Sequence, residues 1–147
     1  MMYITDNSRI LSREELSTPE EITNEIPLDK ESSKLIFGAR RSISQILHRQ
    51  DDRIIVVVGP CSIHDPKAAL EYAKLLKDFS LSVENELMLV MRVYFEKPRT
   101  TIGWKGLIND PRLDNSFKIN EGLRISRKLL KDICLLYTSP SPRDQVV

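Results

Sequence analysis

The run "IIVVV" at residues 54–58 constrains the fold of this chain more than any other feature. Its branched apolar residues do not alternate with polar ones, which is typical of a strand in a parallel sheet covered on both sides. We therefore predict a strand over residues 53–58 that is buried on both faces. A second apolar run, "ELMLVMRVYF" at residues 86–95, predicts another buried strand.

Helical patterns follow each of these strands. Asp65 and Pro66 form a helix start after the first strand, and apolar residues continue on one face to Phe79. Residues 119–133 have the spacing of a further helix. This order predicts an α/β fold with parallel strands, either a doubly wound sheet or the start of a (β/α)8 barrel. A closed barrel typically needs about 250 residues, so the barrel would be incomplete in this chain.

Residues 1–50 are predicted to form a helical extension in front of residues 51–133, which hold the first strand and helix units. Thr18 and Glu21 have the spacing of a capping box at a helix start. Over residues 30–49, apolar side chains recur at helical spacing. One face of that helix must pack against another element.

Residues 134–147 are predicted to be a tail that is not native to the protein. Two Ser-Pro steps end the helical pattern, and we expect the helix to stop at Ile133. Codons can be chosen that encode residues 134–144 residue for residue and form a string that resembles an adapter used in preparing sequencing libraries. Cys134 would then have no function. The alternative is an ordinary disordered terminus, and native genomic DNA encoding these residues would favour it.

The charge balance excludes several kinds of partner. The chain has 22 basic and 21 acidic residues and a net charge of +1, so it has no overall attraction for nucleic acid or anionic membranes. Neither a signal peptide nor an apolar run of about 18 residues is present. We expect a cytoplasmic protein without nucleic-acid or membrane partners. Tyr94, Phe95 and Trp104 are predicted to be core residues rather than platforms for nucleic-acid bases.

Cys61 follows the first strand immediately after Gly59-Pro60, which breaks the strand. Its thiol is therefore expected at the carboxyl end of the strand, where parallel α/β proteins bind ligands. A thiolate there can bind a divalent cation or act as a nucleophile with His64, while the plainer alternative is a small buried apolar side chain. The C-x-x-H spacing is a weak metal signal, and His64 can equally bond to the backbone at the next helix start.

A basic segment follows the second strand. Arg92 interrupts the apolar run, and a guanidinium buried there needs an anionic partner. The next loop adds further cations and hydroxyls: Lys97, Arg99, Thr100, Thr101 and Lys105. These groups suit a phosphate or carboxylate ligand. The alternative is a loop whose charges are simply solvated.

Three segments closely resemble the class I 3-deoxy-D-arabino-heptulosonate 7-phosphate (DAHP) synthases: "GPCSIHDP", "VMRVYFEKPRTTIGWKGLINDP" and "DNSFKINEGLRISRKLL". The resemblance is strong over residues 33–132. It implies a TIM barrel, of which this chain is the N-terminal part. It also implies condensation of phosphoenolpyruvate with D-erythrose 4-phosphate, the first step of the shikimate pathway, with release of phosphate.

The resemblance also implies roles for individual residues. Phosphoenolpyruvate would be held by Arg92 and Lys97. The erythrose 4-phosphate site would be lined by Pro98, Arg99 and Thr100, with Lys105 as a possible further substrate contact.

The essential cofactor implied is a divalent metal cation, with manganese, iron, zinc and cobalt not distinguished. Cys61 would be one of its ligands, and later strands would supply the others. His64 belongs to the same motif and is assigned to loop structure.

The resemblance also implies that the N-terminal extension takes part in feedback regulation and in subunit assembly. In this family it contributes to subunit contacts and to the site of an aromatic amino acid inhibitor, a role that residues 4–10 would have here, and the intact protein would be a homo-oligomer. Because most of the barrel and the other metal ligands are missing, we expect this chain to be inactive by itself. The alternative is a shortened, non-catalytic chain that binds the full-length synthase through its extension.

Overall fold

The computed structural model describes residues 10, 12–97 and 102–136. Within these residues, four helices and two strands follow one another in the predicted order, which confirms an α/β arrangement. They are α1 (Pro19–Glu25), α2 (Lys30–Leu47), β1 (Ile54–Val58), α3 (Pro66–Ser82), β2 (Leu87–Met91) and α4 (Ile119–Leu136).

The two strands form a parallel pair. Ile54 lies opposite Leu87, and Val58 lies opposite Met91. The pairing continues beyond β2, because the Arg92 amide donates to the Val58 carbonyl at 2.8 Å. Both strands therefore end at the same edge of the sheet, as parallel strands joined by a crossover helix must.

The side chains of β2 alternate between two apolar clusters, as a period of two requires. Leu89 and Met91 belong to the larger cluster, which includes buried residues of α3 and α4. Met88 and Val90 belong to the other cluster, with Ala39 of α2. The sheet is thus covered on both faces along β2, and the prediction of a buried second strand is confirmed.

The prediction that the first strand is buried on both faces is wrong in the described part of the chain. Ile54 is 64% exposed and Val57 is 62% exposed. The reason is topological: the sheet formed by the described residues has only two strands, so β1 is an edge strand with one hydrogen-bonded neighbour. Its apolar composition is typical of a strand packed on both faces, and the described residues provide only part of that packing.

The helix starts are formed by the predicted caps. The Thr18 hydroxyl accepts from the Glu21 amide at 3.2 Å, and the Glu21 carboxylate accepts from the Thr18 amide at 2.8 Å, which completes a capping box before α1. Asp65 caps α3 by accepting from the Lys67 amide at 2.8 Å. The carboxylate at the α3 start thus has a structural role.

The predicted helix end at Ile133 is wrong, because α4 continues to Leu136. Cys134 is 1% exposed and lies on the same buried face as Leu130 and Ile133, so the apolar stripe extends past the predicted end. Residues 137–147, which contain both Ser-Pro steps, lie outside the described residues. No helix among the described residues is long and apolar enough to cross a membrane.

The segment before α2 is attached to α4 by polar contacts. The Arg124 guanidinium makes two hydrogen bonds of 2.6 Å to the Glu25 carboxylate, one to each oxygen. The Asn120 side chain accepts from the Ser17 amide at 2.7 Å and donates to the Glu15 carbonyl at 3.0 Å. We call these contacts the α4 latch.

Candidate functional site

The loop after β1 carries Cys61 and lies tightly against the segment that follows β2. A Cβ atom at Gly59 would lie 2.4 Å from the Arg92 carbonyl oxygen, so only glycine permits this approach. Further along, the Ile63 amide donates to the Tyr94 carbonyl at 2.7 Å. The loop that carries Cys61 is therefore fastened to the backbone that carries Arg92.

Residues 95–97 and 104–107 form two antiparallel arms at this edge, with Glu96 opposite Gly106, and we call these two arms the basic hairpin. The Lys97 amide donates to the Lys105 carbonyl at 2.9 Å and joins its two arms. Gly106 has a φ of +125°, and a Cβ there would lie 2.2 Å from the Phe95 carbonyl oxygen. A residue with a side chain cannot take this place without opening the base of the hairpin.

Three of the predicted site residues meet between the loop and the hairpin. The Lys97 Nζ lies 3.4 Å from the Cys61 Sγ, and the Arg92 guanidinium lies over the Tyr94 ring, 5.0 Å from its centre. The Lys97 ammonium and, to a lesser degree, the Arg92 guanidinium lower the pKa of the exposed Cys61 thiol. Two cations thus favour the thiolate form at the open end of β1.

The expectation that Arg92 is buried within a strand is wrong. β2 ends at Met91, and Arg92 is exposed while its neighbours Met91 and Val93 are buried. Alternation along the extended backbone turns the Arg92 side chain away from the larger apolar cluster. Its guanidinium is therefore open to a soluble anionic ligand.

Three other predicted residues, Pro98, Arg99 and Thr100, lie outside the described residues. Lys105 is half-buried in the return arm of the basic hairpin. Within residues 10, 12–97 and 102–136, no group of three or more histidine, cysteine, aspartate or glutamate side chains could hold a metal ion. Cys61 is exposed, and its thiol pKa is lowered.

Sequence reasoning missed a set of contacts around Trp104. The indole Nε1–H donates to the Asp110 carbonyl at 2.8 Å, and the ring meets the His64 ring edge to face, with centres 6.5 Å apart. Asp110 is 3% exposed, and its carboxylate accepts from the Asn115 amide at 3.1 Å. His64 is in the loop, as predicted, but nothing in the residue order indicated that its ring would meet Trp104.

Residues 22–137 match the model of the DAHP synthetase I family. A phospho-2-dehydro-3-deoxyheptonate aldolase of Amycolatopsis methanolica is 55% identical over 131 residues, which are 89% of this chain and 64% of that protein. The Phe-sensitive phospho-2-dehydro-3-deoxyheptonate aldolase of Escherichia coli K12 is 54% identical over 133 residues, which are 90% of this chain and 38% of that protein. The chain therefore spans less than two thirds of the length of these relatives.

A solved structure agrees with the sequence matches. The phospho-2-dehydro-3-deoxyheptonate aldolase of Francisella tularensis SCHU S4 superposes with a TM-score of 0.83 at 50% identity. The match covers 88% of this chain and 38% of that one. The family match covers most of the chain, and the fold of the described residues is similar to that of a solved relative. This chain belongs to the DAHP synthetase I family.

Proposed function

We propose that the intact protein condenses phosphoenolpyruvate with D-erythrose 4-phosphate to form DAHP and inorganic phosphate, the first step of the shikimate pathway. The observation that supports this most directly is the contact of Lys97 with Cys61, with Arg92 beside them, at the shared end of two parallel strands. Relatives of the same family carry the name of this aldolase.

The complete fold proposed is a TIM barrel whose first two strands are β1 and β2, with residues 1–50 as an N-terminal extension. Support comes from apolar side chains that the described residues leave exposed. They include Val57 on β1 and both Leu75 and Phe79 on α3. A further parallel strand beside β1 and a helix beside α3 would bury these side chains, as the barrel architecture requires.

Arg92 and Lys97 would hold the phosphate and carboxylate groups of phosphoenolpyruvate. The fork of Arg92 suits bidentate contact, and the Lys97 ammonium acts as a point charge. Held in this way, C3 of phosphoenolpyruvate attacks the aldehyde carbon of erythrose 4-phosphate, and water adds at C2. Phosphate then leaves by cleavage of its bond to C2. The two cations offset the negative charge that two phosphorylated substrates bring into one cavity.

A divalent cation, whether manganese, iron, zinc or cobalt, is proposed to bind Cys61. The fit rests on an exposed thiol whose pKa is lowered by neighbouring cations, which favours the thiolate form that binds metal ions. When bound, such an ion acts as a Lewis acid on the aldehyde oxygen. Its other ligands would come from strands beyond the described residues.

The remaining expectations concern the second substrate, the inhibitor and the assembly. Pro98, Arg99 and Thr100 would line the erythrose 4-phosphate site, with Lys105 beside them. The names of two relatives, one Phe-sensitive and one tyrosine-inhibited, support an aromatic amino acid as feedback inhibitor. Residues 4–10, proposed for that site, lie outside the described residues except for Ile10. The intact protein would be a cytoplasmic homo-oligomer without nucleic-acid or membrane partners.

A chimera tests the proposed activity. Residues 1–133 of this chain are joined in register to the C-terminal remainder of the E. coli Phe-sensitive relative, and DAHP formation is measured with both substrates and Mn2+. We expect turnover in the chimera and none in the 147-residue chain alone. Lys97→Met should lower kcat/KM by about 100-fold, whereas Lys77→Met on α3 should not. An inactive chimera beside an active E. coli parent would refute the proposal.

A further inference from the structure

We propose that Trp104 is a positioning residue that braces the loop carrying Cys61 against the basic hairpin carrying Lys97. The brace consists of one hydrogen bond on the hairpin side and one ring contact on the loop side. Its effect on substrate binding rests on the proposed function. The brace itself is a property of the described contacts.

The hairpin side is a short chain of hydrogen bonds. The Trp104 indole donates to the Asp110 carbonyl at 2.8 Å, and the Asp110 amide donates to the Gly106 carbonyl at 3.0 Å. The next residue after Gly106 closes the hairpin, because the Leu107 amide donates to the Phe95 carbonyl at 2.7 Å. The indole is therefore tied to the turn that ends the hairpin.

The loop side is the contact with His64. The two rings are perpendicular, with centres 6.5 Å apart, which is a favourable edge-to-face geometry. His64 directly follows Ile63, whose amide is bonded to the Tyr94 carbonyl and whose side chain is 3% exposed. The His64 ring therefore connects Trp104 to a part of the loop that a backbone hydrogen bond holds in place, close to Cys61.

The position of Lys97 explains why such a brace matters. β2 ends at Met91, so the hairpin lies beyond the part of the sheet that a neighbouring strand holds in place. Lys97 nevertheless reaches Cys61, which is 36 positions away in sequence, at 3.4 Å. Trp104 links the two segments that carry these groups, so it limits their relative movement.

Amide hydrogen exchange in the 147-residue chain tests the brace without any activity. The variants are Trp104→Leu, His64→Ala and, as a control, Phe79→Leu on the exposed face of α3. Loss of one such contact should speed exchange of both the Lys97 and the Ile63 amides about 5-fold in the first two variants. The control should leave both rates unchanged.

His64→Ala is the decisive variant, because an exposed ring can be removed without disturbing the core. The brace predicts faster exchange at Lys97, which belongs to the other segment. Acceleration confined to the Ile63 amide, or no acceleration, would overturn the proposal. For Trp104→Leu, a rise at Lys97 without one at Ile63 would mean that the indole stabilises the hairpin alone, which also overturns it.

The chimera then measures the consequence for binding. His64→Ala should raise the KM for phosphoenolpyruvate about 3- to 10-fold and change kcat less than about 2-fold. The double variant His64→Ala with Trp104→Leu should raise KM by less than the product of the two single effects, because both remove one brace. An unchanged KM would overturn the positioning role. An inactive parent chimera would instead refute the proposed function. The amide exchange rates would still show whether Trp104 links the loop to the hairpin.

Discussion

The Lys97 Nζ and the Cys61 Sγ lie 3.4 Å apart, although one belongs to the hairpin after β2 and the other to the loop after β1. The parallel pairing of the strands makes this possible, since it brings both segments to one edge of the sheet. The electrostatic consequence is a thiol whose pKa is lowered chiefly by the Lys97 ammonium.

Lys97→Met should raise the pKa of the Cys61 thiol toward its ordinary value. The thiolate is the form that reacts with alkylating agents, so the variant should react more slowly at neutral pH. The measurement is the rate of iodoacetamide modification against pH, with a chelator present and Cys134 replaced by serine. The midpoint of the curve should move to higher pH. Lys77→Met removes a lysine of α3 and should leave the midpoint unchanged, and a Lys97→Met curve equal to the parent's would contradict the contact.

Gly106→Ala should destabilise the chain by at least about 2 kcal/mol. The substitution forces a side chain into a left-handed backbone at φ +125° and against the Phe95 carbonyl. Gly38→Ala is the matched control, because a Cβ there has no neighbour within 4 Å and lies within α2. It should stabilise the chain by about 0.5–1 kcal/mol. Urea unfolding followed by circular dichroism measures both, and two changes of the same sign would refute this account.

Glu25→Gln should remove the contribution to folding stability that depends on an ionised Glu25 carboxylate. The hydrogen bonds from Arg124 lower the Glu25 pKa below its ordinary value of 4.5. The contribution of the α4 latch is therefore fully present above pH 4.5 and is lost as the pH falls through the lowered pKa. The parent's denaturation midpoint should exceed that of the variant at pH 6, and the difference should vanish as the pH falls below the lowered Glu25 pKa.

Asp132→Asn serves as the control for the latch, because Asp132 pairs with Lys128 inside α4. Breaking that pair leaves the segment before α2 attached. The Ser17 amide, which is bonded to Asn120, should exchange faster in Glu25→Gln than in Asp132→Asn. Equal rates in these two variants would show that the latch does not hold the segment.

Val57→Lys should have different effects in the isolated chain and in the proposed barrel. Val57 is 62% exposed here, so the substitution should change the stability of the 147-residue chain by no more than about 0.5 kcal/mol. In the chimera, a neighbouring strand would bury this position, and an unpaired lysine should abolish soluble, active protein. Normal activity of the Val57→Lys chimera would argue against a strand beside β1.

Local features of the fold were predictable because their causes are local. The capping box of Thr18 and Glu21, the Asp65 cap and the parallel strands follow from residue type and order. The exposure of β1 was not predictable, because burial depends on which other elements are present. The helix end was misjudged by three residues, since the Ser-Pro steps begin only after the apolar stripe has passed Cys134.

For the candidate site, the sequence was sufficient to place Cys61, Arg92 and Lys97 at or beyond strand ends, while their roles stay predictions. It was not sufficient to predict that Arg92 is exposed, because that depends on where β2 stops. The contact between His64 and Trp104 could not be predicted from the sequence, for a different reason. His64 and Trp104 meet through the folding of two loops, and no periodic pattern encodes such a contact.

The α4 latch also bears on the order in which the chain folds. Its hydrogen bonds join residues 99 to 105 positions apart, so a loop of that length must close before they form. During synthesis, residues 15–25 leave the ribosome long before Asn120 and Arg124 do. This segment can therefore dock onto α4 only after α4 has emerged.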